Sequence, residues 1–316
     1  MNTAENIAEN IEDTNMHKII PFPSPLRIHE DKTLRNNSPV GYRIFKDKLF
    51  KCLVIILSIL SFLPLLLVLF HITKNGISVI NWGFLTELPL PIGEKGGGVF
   101  NSIIGSLILI ILSSIISIPL GISAGIYLAE KNKGRIANII NLCIVVLQGT
   151  PSIVIGIITY IWVVAPLGGF SALSGGIALS IMMLPVIIKS TEETLKLIPY
   201  HLKEASLALG VPYYKTILKV ILPTGLSGIL TGILLSVARI TGETAPLLFT
   251  AFGNQFLNYN ILKPIDSLPY RIFYYAMSPY PEWHTFAWGA SFILVMIVLS
   301  FNLIARGISA KWKVQF

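Results

Sequence analysis

Six apolar runs, separated by shorter polar stretches, set the rhythm of the chain: Cys52–Ile72, Phe100–Leu128, Ile139–Val164, Leu173–Ile188, Val220–Ala238 and Phe286–Ala305. A helix needs about 20 apolar residues to cross a bilayer, so the pattern predicts an all-α integral membrane protein with about six transmembrane helices. The fourth run is the weakest, being short and interrupted by Pro185, and the fifth is expected to continue past Arg239 toward Pro246. Pro64, Pro119, Pro151 and Pro185 lie in or near the runs, where they kink helices and free backbone carbonyls. Gly121-x-x-x-Gly125 and Gly228-x-x-x-Gly232 are small-residue motifs that let helices approach closely, expected here to serve packing within the subunit. Four regions follow: a cytoplasmic tail over 1–48, expected to be disordered, a first helix and outer loop over 49–98, a membrane core over 99–306, and a cytoplasmic C-terminal tail over 307–316.

Composition agrees with the pattern. The chain is 53% apolar and 13% charged, against about a quarter charged in soluble domains, and its mean hydropathy is +0.72. The net charge of +8 does not mark a nucleic-acid binder, because the basic residues alternate between connections. Of the 24 Lys and Arg, 19 lie before the first run, in the second and fourth connections, and after the last run; only Lys74, Lys95, Lys263 and Arg271 fall on the other side, and Arg239 stands at the end of the fifth run. By the positive-inside rule both termini face the cytoplasm of a multi-pass plasma (inner) membrane protein. The first apolar run begins only near Cys52, after Pro21, Pro23 and Pro25, which does not read as a secretory signal. Cys52 and Cys143 read as small buried hydrophobes, and the five histidines lack metal-ligand spacing, so no metal is expected. Gly96-Gly97-Gly98 reads as a flexible entry to the second helix, and Trp82, Trp283 and Trp288 as interfacial anchors.

No internal repeat is visible, whereas many carriers that work alone have two related halves. Six helices without a duplicated half suggest half of a pathway. The segment Ser190–Pro223 is too polar to span and too patterned to be a loose loop. Leu202, Ala205, Ser206 and Leu209 recur at helical spacing, Gly210 sits where a C-cap glycine would, and Pro212 can open a second helix. A rigid cytoplasmic knob is expected.

Within that segment Glu204-Ala205-Ser206, Gly210 and Val220-Ile221-Leu222-Pro223 resemble the EAA loop of ABC-importer permeases, with Ser206 and Val220 as mild departures. The stretches Gly96–Glu130, Leu147–Ile157 and Arg239–Ala251 are similar to the phosphate permeases of that family, whereas the tail and the 257–282 loop match nothing of use. The resemblance implies the type I ABC importer fold with a cytoplasmic coupling helix, in which Glu204, Ala205, Ser206 and Gly210 dock on an ATPase. It also implies a heterodimer with a second homologous permease, a pair of ATPase subunits, and an extracytoplasmic phosphate-binding protein. No G-x4-G-K-[ST] pattern occurs in the chain, so no cofactor is expected on it: ATP and its Mg²⁺ belong to the ATPase partners.

The stretch "RITGETAPLLFTA" places Arg239 and Glu243 in an otherwise apolar segment. A charge at a membrane helix centre costs roughly 2.5–3.5 kcal/mol on insertion scales. On a continuous helix the two lie on one face and can pair. Pairing explains how the charges are tolerated, and a pathway for an oxyanion explains why they are present: a guanidinium offers planar, bidentate donors. Thr241 and Thr244 are expected to add hydroxyl contacts. An importer for molybdate or sulfate remains an alternative, as does a carrier or channel acting alone. An intramembrane enzyme fits poorly, since Glu243 is the only acid in an expected span and no paired carboxylate or Ser/His site accompanies it.

Overall fold

The computed structural model describes residues 40–311 apart from positions 92, 95 and 132, so most of the expected disordered tail lies outside the described residues. The chain divides into two units between Leu63 and Pro64. The first helix, α1 (Val40–Ile77), runs through that division and starts well before Cys52. Hydropathy marks only the part of a helix that lipid covers, and the polar turns around Lys46–Lys51 continue the same helix.

The second unit then carries α2 (Trp82–Thr86), α3 (Phe100–Glu130), α4 (Arg135–Gly149), α5 (Ser152–Leu167), α6 (Ala172–Lys196) and α7 (Tyr200–Ala208). It continues with α8 (Tyr213–Thr224), α9 (Leu226–Thr241), α10 (Ala245–Thr250), α11 (Leu268–Ala276) and α12 (Pro281–Lys311). Among the described residues there is no strand, only an isolated bridge between Phe252 and Ile265. Helices α1, α3, α6 and α12 are each long and apolar enough to span. The pairs α4–α5 and α8–α9 bring the number to six, but they are bent by 111° and 69°.

Those bends correct the expected third and fifth spans. Pro151 follows Gly149 and Thr150 and ends α4, because proline lacks the N–H and its ring clashes with the preceding turn. Gly225 separates α8 from α9. Within α5 and α8 a wide π-turn, Tyr160–Val164 and Ile217–Ile221, comes just before Pro166 and Pro223, accommodating the hydrogen bond that each proline cannot make.

The run that looked weakest forms the centre. Of its most apolar window, 67% is buried inside the protein, against 33% for α3. A helix screened from lipid by its neighbours need not be apolar all round, and Pro185 does not break it. Both glycine motifs clasp it. A Cβ on Gly125 would sit 2.5 Å from Thr191 Cβ, and one on Gly232 would sit 1.9 Å from Ser190 Oγ. Absent side chains thus let α3 and α9 close on neighbouring faces of α6, around a core that includes Leu109, Met183, Ile187 and Ile229.

Two smaller expectations change. Cys52 and Cys143 are exposed on their helices rather than buried; on a spanning helix, lipid serves as the apolar surroundings. The glycine run before α3 is a fixed turn: Gly96 and Gly97 have φ of +102° and +89°, and a Cβ on Gly98 would meet Phe84 O at 2.4 Å. Asp266, in the connection after α10, is buried and tied to the start of α3. Its Oδ2 accepts from Ser102 Oγ at 2.5 Å, Asn101 Nδ2 at 3.2 Å and Arg271 Nε at 2.8 Å. Arg271, equally buried, also donates to Asn254 O at 3.2 Å.

Candidate functional site

A cavity of about 330 Å³ opens where α4 breaks into α5. Gln148, Thr150 and Ser152 border it from the break, Met182 and Pro185 from α6, and Arg239 and Glu243 from the end of α9 and the link beyond it. The local sequence explains the meeting. Helix α9 ends at Thr241, with Gly242 as its cap and Glu243 N–H still donating to Ile240 O at 3.1 Å. A Cβ on Gly156 would lie 2.8 Å from Pro246 Cα, so this glycine lets α10 close on α5 and carries Glu243 to the bend.

Arg239 and Glu243 therefore share a cavity but not a helix, which corrects the expected continuation toward Pro246. Among the described residues they make no ion pair with one another or with any other side chain. Arg239 is exposed on this chain and Glu243 half-buried. Thr241 is buried, and its hydroxyl donates back to Val237 O at 2.7 Å. Thr244, half-buried, stands just before α10 as its N-cap without a side-chain cap bond. Neither threonine is among the residues that border the cavity. In the sequence, Gln148, Thr150 and Ser152 are marked only by their polarity within an apolar run.

Glu243 is also not the only acid in a span. Helix α6 extends to Lys196 and buries Glu192, whose Oε2 and Oε1 accept from Lys189 at 2.8 Å and Lys196 at 2.6 Å. Lys189 reaches Asn141 Oδ1 on α4 at 3.3 Å. The two lysines supply the compensation that a buried carboxylate requires.

The predicted knob is present as α7 and α8. Gly210 has a φ of +78° and closes α7 as a Schellman cap: its N–H donates to Leu207 O at 2.9 Å, and Val211 N–H to Ser206 O at 3.3 Å. Pro212 is the N-cap of α8, one position earlier than expected. Ser206 faces inward, its hydroxyl 2.9 Å from that of Thr216. Glu204 and Ala205 are exposed, and so is Leu209, so the residues that recur at helical spacing are shared between inside and outside.

A family profile described as "Binding-protein-dependent transport system inner membrane component" matches residues 117–314. The chain belongs to this family. Among its relatives are proteins named phosphate transport system permease protein PstA. The one from Yersinia pestis is 44% identical over 79% of this chain and 85% of its own length. That of Haemophilus influenzae is 37% identical over 84% and 94%. A probable PstA of Methanocaldococcus jannaschii is 36% identical over 83% and 94%. A chain from an inward-facing MetNI methionine ABC transporter superposes with a TM-score of 0.54 at 19% identity, covering 69% of this chain and 95% of that one; that likeness concerns the fold, the permease fold of ABC importers. In this chain the breaks in α4–α5 and after α9 bring polar groups from separate helices to one cavity.

Proposed function

We propose that this chain is the transmembrane subunit of an ATP-driven ABC importer and provides half of an inward pathway for inorganic phosphate. Arg239 carries that reading: an exposed guanidinium without an ion-pair partner among the described residues, at a cavity between broken spans, in a chain whose relatives are named phosphate permeases. A dianion leaving water faces a large desolvation barrier, and a guanidinium lowers it with bidentate, charge-assisted hydrogen bonds. Glu243 on the same cavity limits the attraction, since conduction requires that the ion also leave. Gln148, Thr150 and Ser152 add neutral polar contacts.

The exposure of Arg239 on a single chain supports a second permease subunit that completes the wall. ATP hydrolysis resides on a pair of separate ATPase subunits that dock on α7, at Glu204, Ala205, Ser206 and Gly210. An extracytoplasmic binding protein delivers phosphate, and the basic bias sets both termini in the cytoplasm.

The test is competitive uptake into vesicles carrying the full complex. Phosphate uptake should resist competition by sulfate and molybdate; competition as strong as by phosphate itself would reassign the substrate. Arg239→Ala and Arg239→Lys should each cut uptake severely while the complex assembles and binds ATP. Recovery of uptake in Arg239→Ala with Glu243→Ala would refute the pathway role, because a purely structural pair is often removable together.

A further inference from the structure

We propose that Lys203 is a positioning residue for transport, and that its ion pair with Glu130 carries movement of the docking helix α7 into α3. The inference rests on the reading that α7 docks an ATPase. Glu130 is the last residue of α3, and its Oε2 accepts from both the Lys203 ammonium and the Tyr213 hydroxyl. Lys203 Nζ also donates to the Tyr213 hydroxyl at 3.2 Å and lies 4.8 Å from the centre of that ring. Three elements thus converge on one carboxylate oxygen: the end of α3, the middle of α7 and the start of α8.

The place is an unfavourable one for a lone carboxylate. The C-terminal end of a helix carries partial negative charge, so Glu130 needs a cation, and none of its own helix's last-turn residues is basic. Lys203 comes from another element to supply it. The Lys203 and Glu130 side chains are only 15% and 19% exposed, so salt screens the pair less than a surface pair. Partial burial works to lower the Lys203 pKa, but the bonds to Glu130 and Tyr213 outweigh it and hold the ammonium above its ordinary value.

The pair is also well placed to transmit movement. Helix α7 packs chiefly against α8, and a cavity of about 460 Å³ opens between it and α3, bordered by Ala129 and Glu130 on α3 and by Tyr200 and Lys203 on α7. Its tie to α3 therefore runs through these side chains. Helix α3 in turn lies along α6, whose Met182 and Pro185 border the Arg239 cavity. A push on α7 reaches that cavity by way of Lys203, Glu130, α3 and α6.

The experiment measures phosphate moved per ATP hydrolysed in proteoliposomes of the complete complex. Lys203→Met should keep hydrolysis and lower that ratio at least about fivefold, whereas Lys203→Arg should keep the ratio near that of the unmodified complex. The exchange Glu130→Lys with Lys203→Glu should recover a large part of it. The proposal is overturned if Lys203→Met leaves the ratio unchanged, if hydrolysis and transport fall together with loss of the ATPase subunit, or if the exchange recovers nothing. Should the complex carry another oxyanion, the phosphate reading fails and the ratio is read with that ion. Loss of the docking reading shows separately, as normal coupling in Gly210→Val.

Discussion

Gly210 offers a sharp test of the knob, because only the backbone is at stake there. A Cβ at this position would meet nothing within 4 Å, so a larger side chain causes no clash, yet the φ of +78° disfavours any L residue with a Cβ. Holding a non-glycine residue in the left-handed region costs roughly 1–2 kcal/mol, more for a β-branched one. The escape is to rotate residue 210, which breaks the hydrogen bonds to Leu207 O and Ser206 O, each worth about 0.5–1.5 kcal/mol. Either way Gly210→Val loses about 2 kcal/mol of preference for the native turn, and about 1.4 kcal/mol already shifts a conformational equilibrium tenfold. The packed helices are untouched, so the subunit should insert normally while phosphate uptake falls by an order of magnitude or more. Gly210→Asn, which tolerates the left-handed region, should retain most uptake, and Gly210→Ala should fall between. Uptake by reconstituted complex, with the amount of co-purified ATPase, measures this. If Gly210→Val transports as well as Gly210→Asn with a full complement of ATPase, the turn does not set the docking geometry.

Two further outcomes are expected. After replacement of Cys52 and Cys143, a cysteine at Lys133 should be shielded from an impermeant thiol reagent added outside, and one at Phe256, 74% exposed in the connection after α10, should be labelled; the reverse would invert the topology. Gly232→Val should destabilise the solubilised complex by about 1–3 kcal/mol through overpacking against Ser190, read as a lowered melting temperature, while Gly307→Ala, with open space around it, should not; equal effects would refute the close approach of α9 to α6.

The helical class, the knob and the glycine-mediated approaches were legible because each rests on local chemistry: apolar runs, a left-handed glycine, small residues four apart. The bends were not. Pro151 announced a disturbance, but at the bend of 111° α10 closes against Gly156 from about 90 residues further along the chain, which no local pattern reports. For the same reason Arg239 and Glu243 looked like a helical pair: their i, i+4 spacing was visible, whereas the end of α9 at Gly242 is decided by how the following segment packs. Helix α6 was underrated because hydropathy measures suitability for lipid, and this helix is surrounded by protein. The partners of Glu130, and the Asn101 and Ser102 partners of Asp266, come from distant parts of the chain and left no mark in either neighbourhood.

The tie between Asp266 and the start of α3 bears on how the protein is made. Asn101 and Ser102 emerge from the ribosome some 165 residues before the carboxylate they will hold, and Arg271 follows later still. Until Asp266 and Arg271 have been made, the first turn of α3 lacks these partners. Closure of this junction is thus a late assembly event, and a chain interrupted before Arg271 would present an unneutralised acid where the finished subunit has a sealed one, a difference that a membrane protease can read.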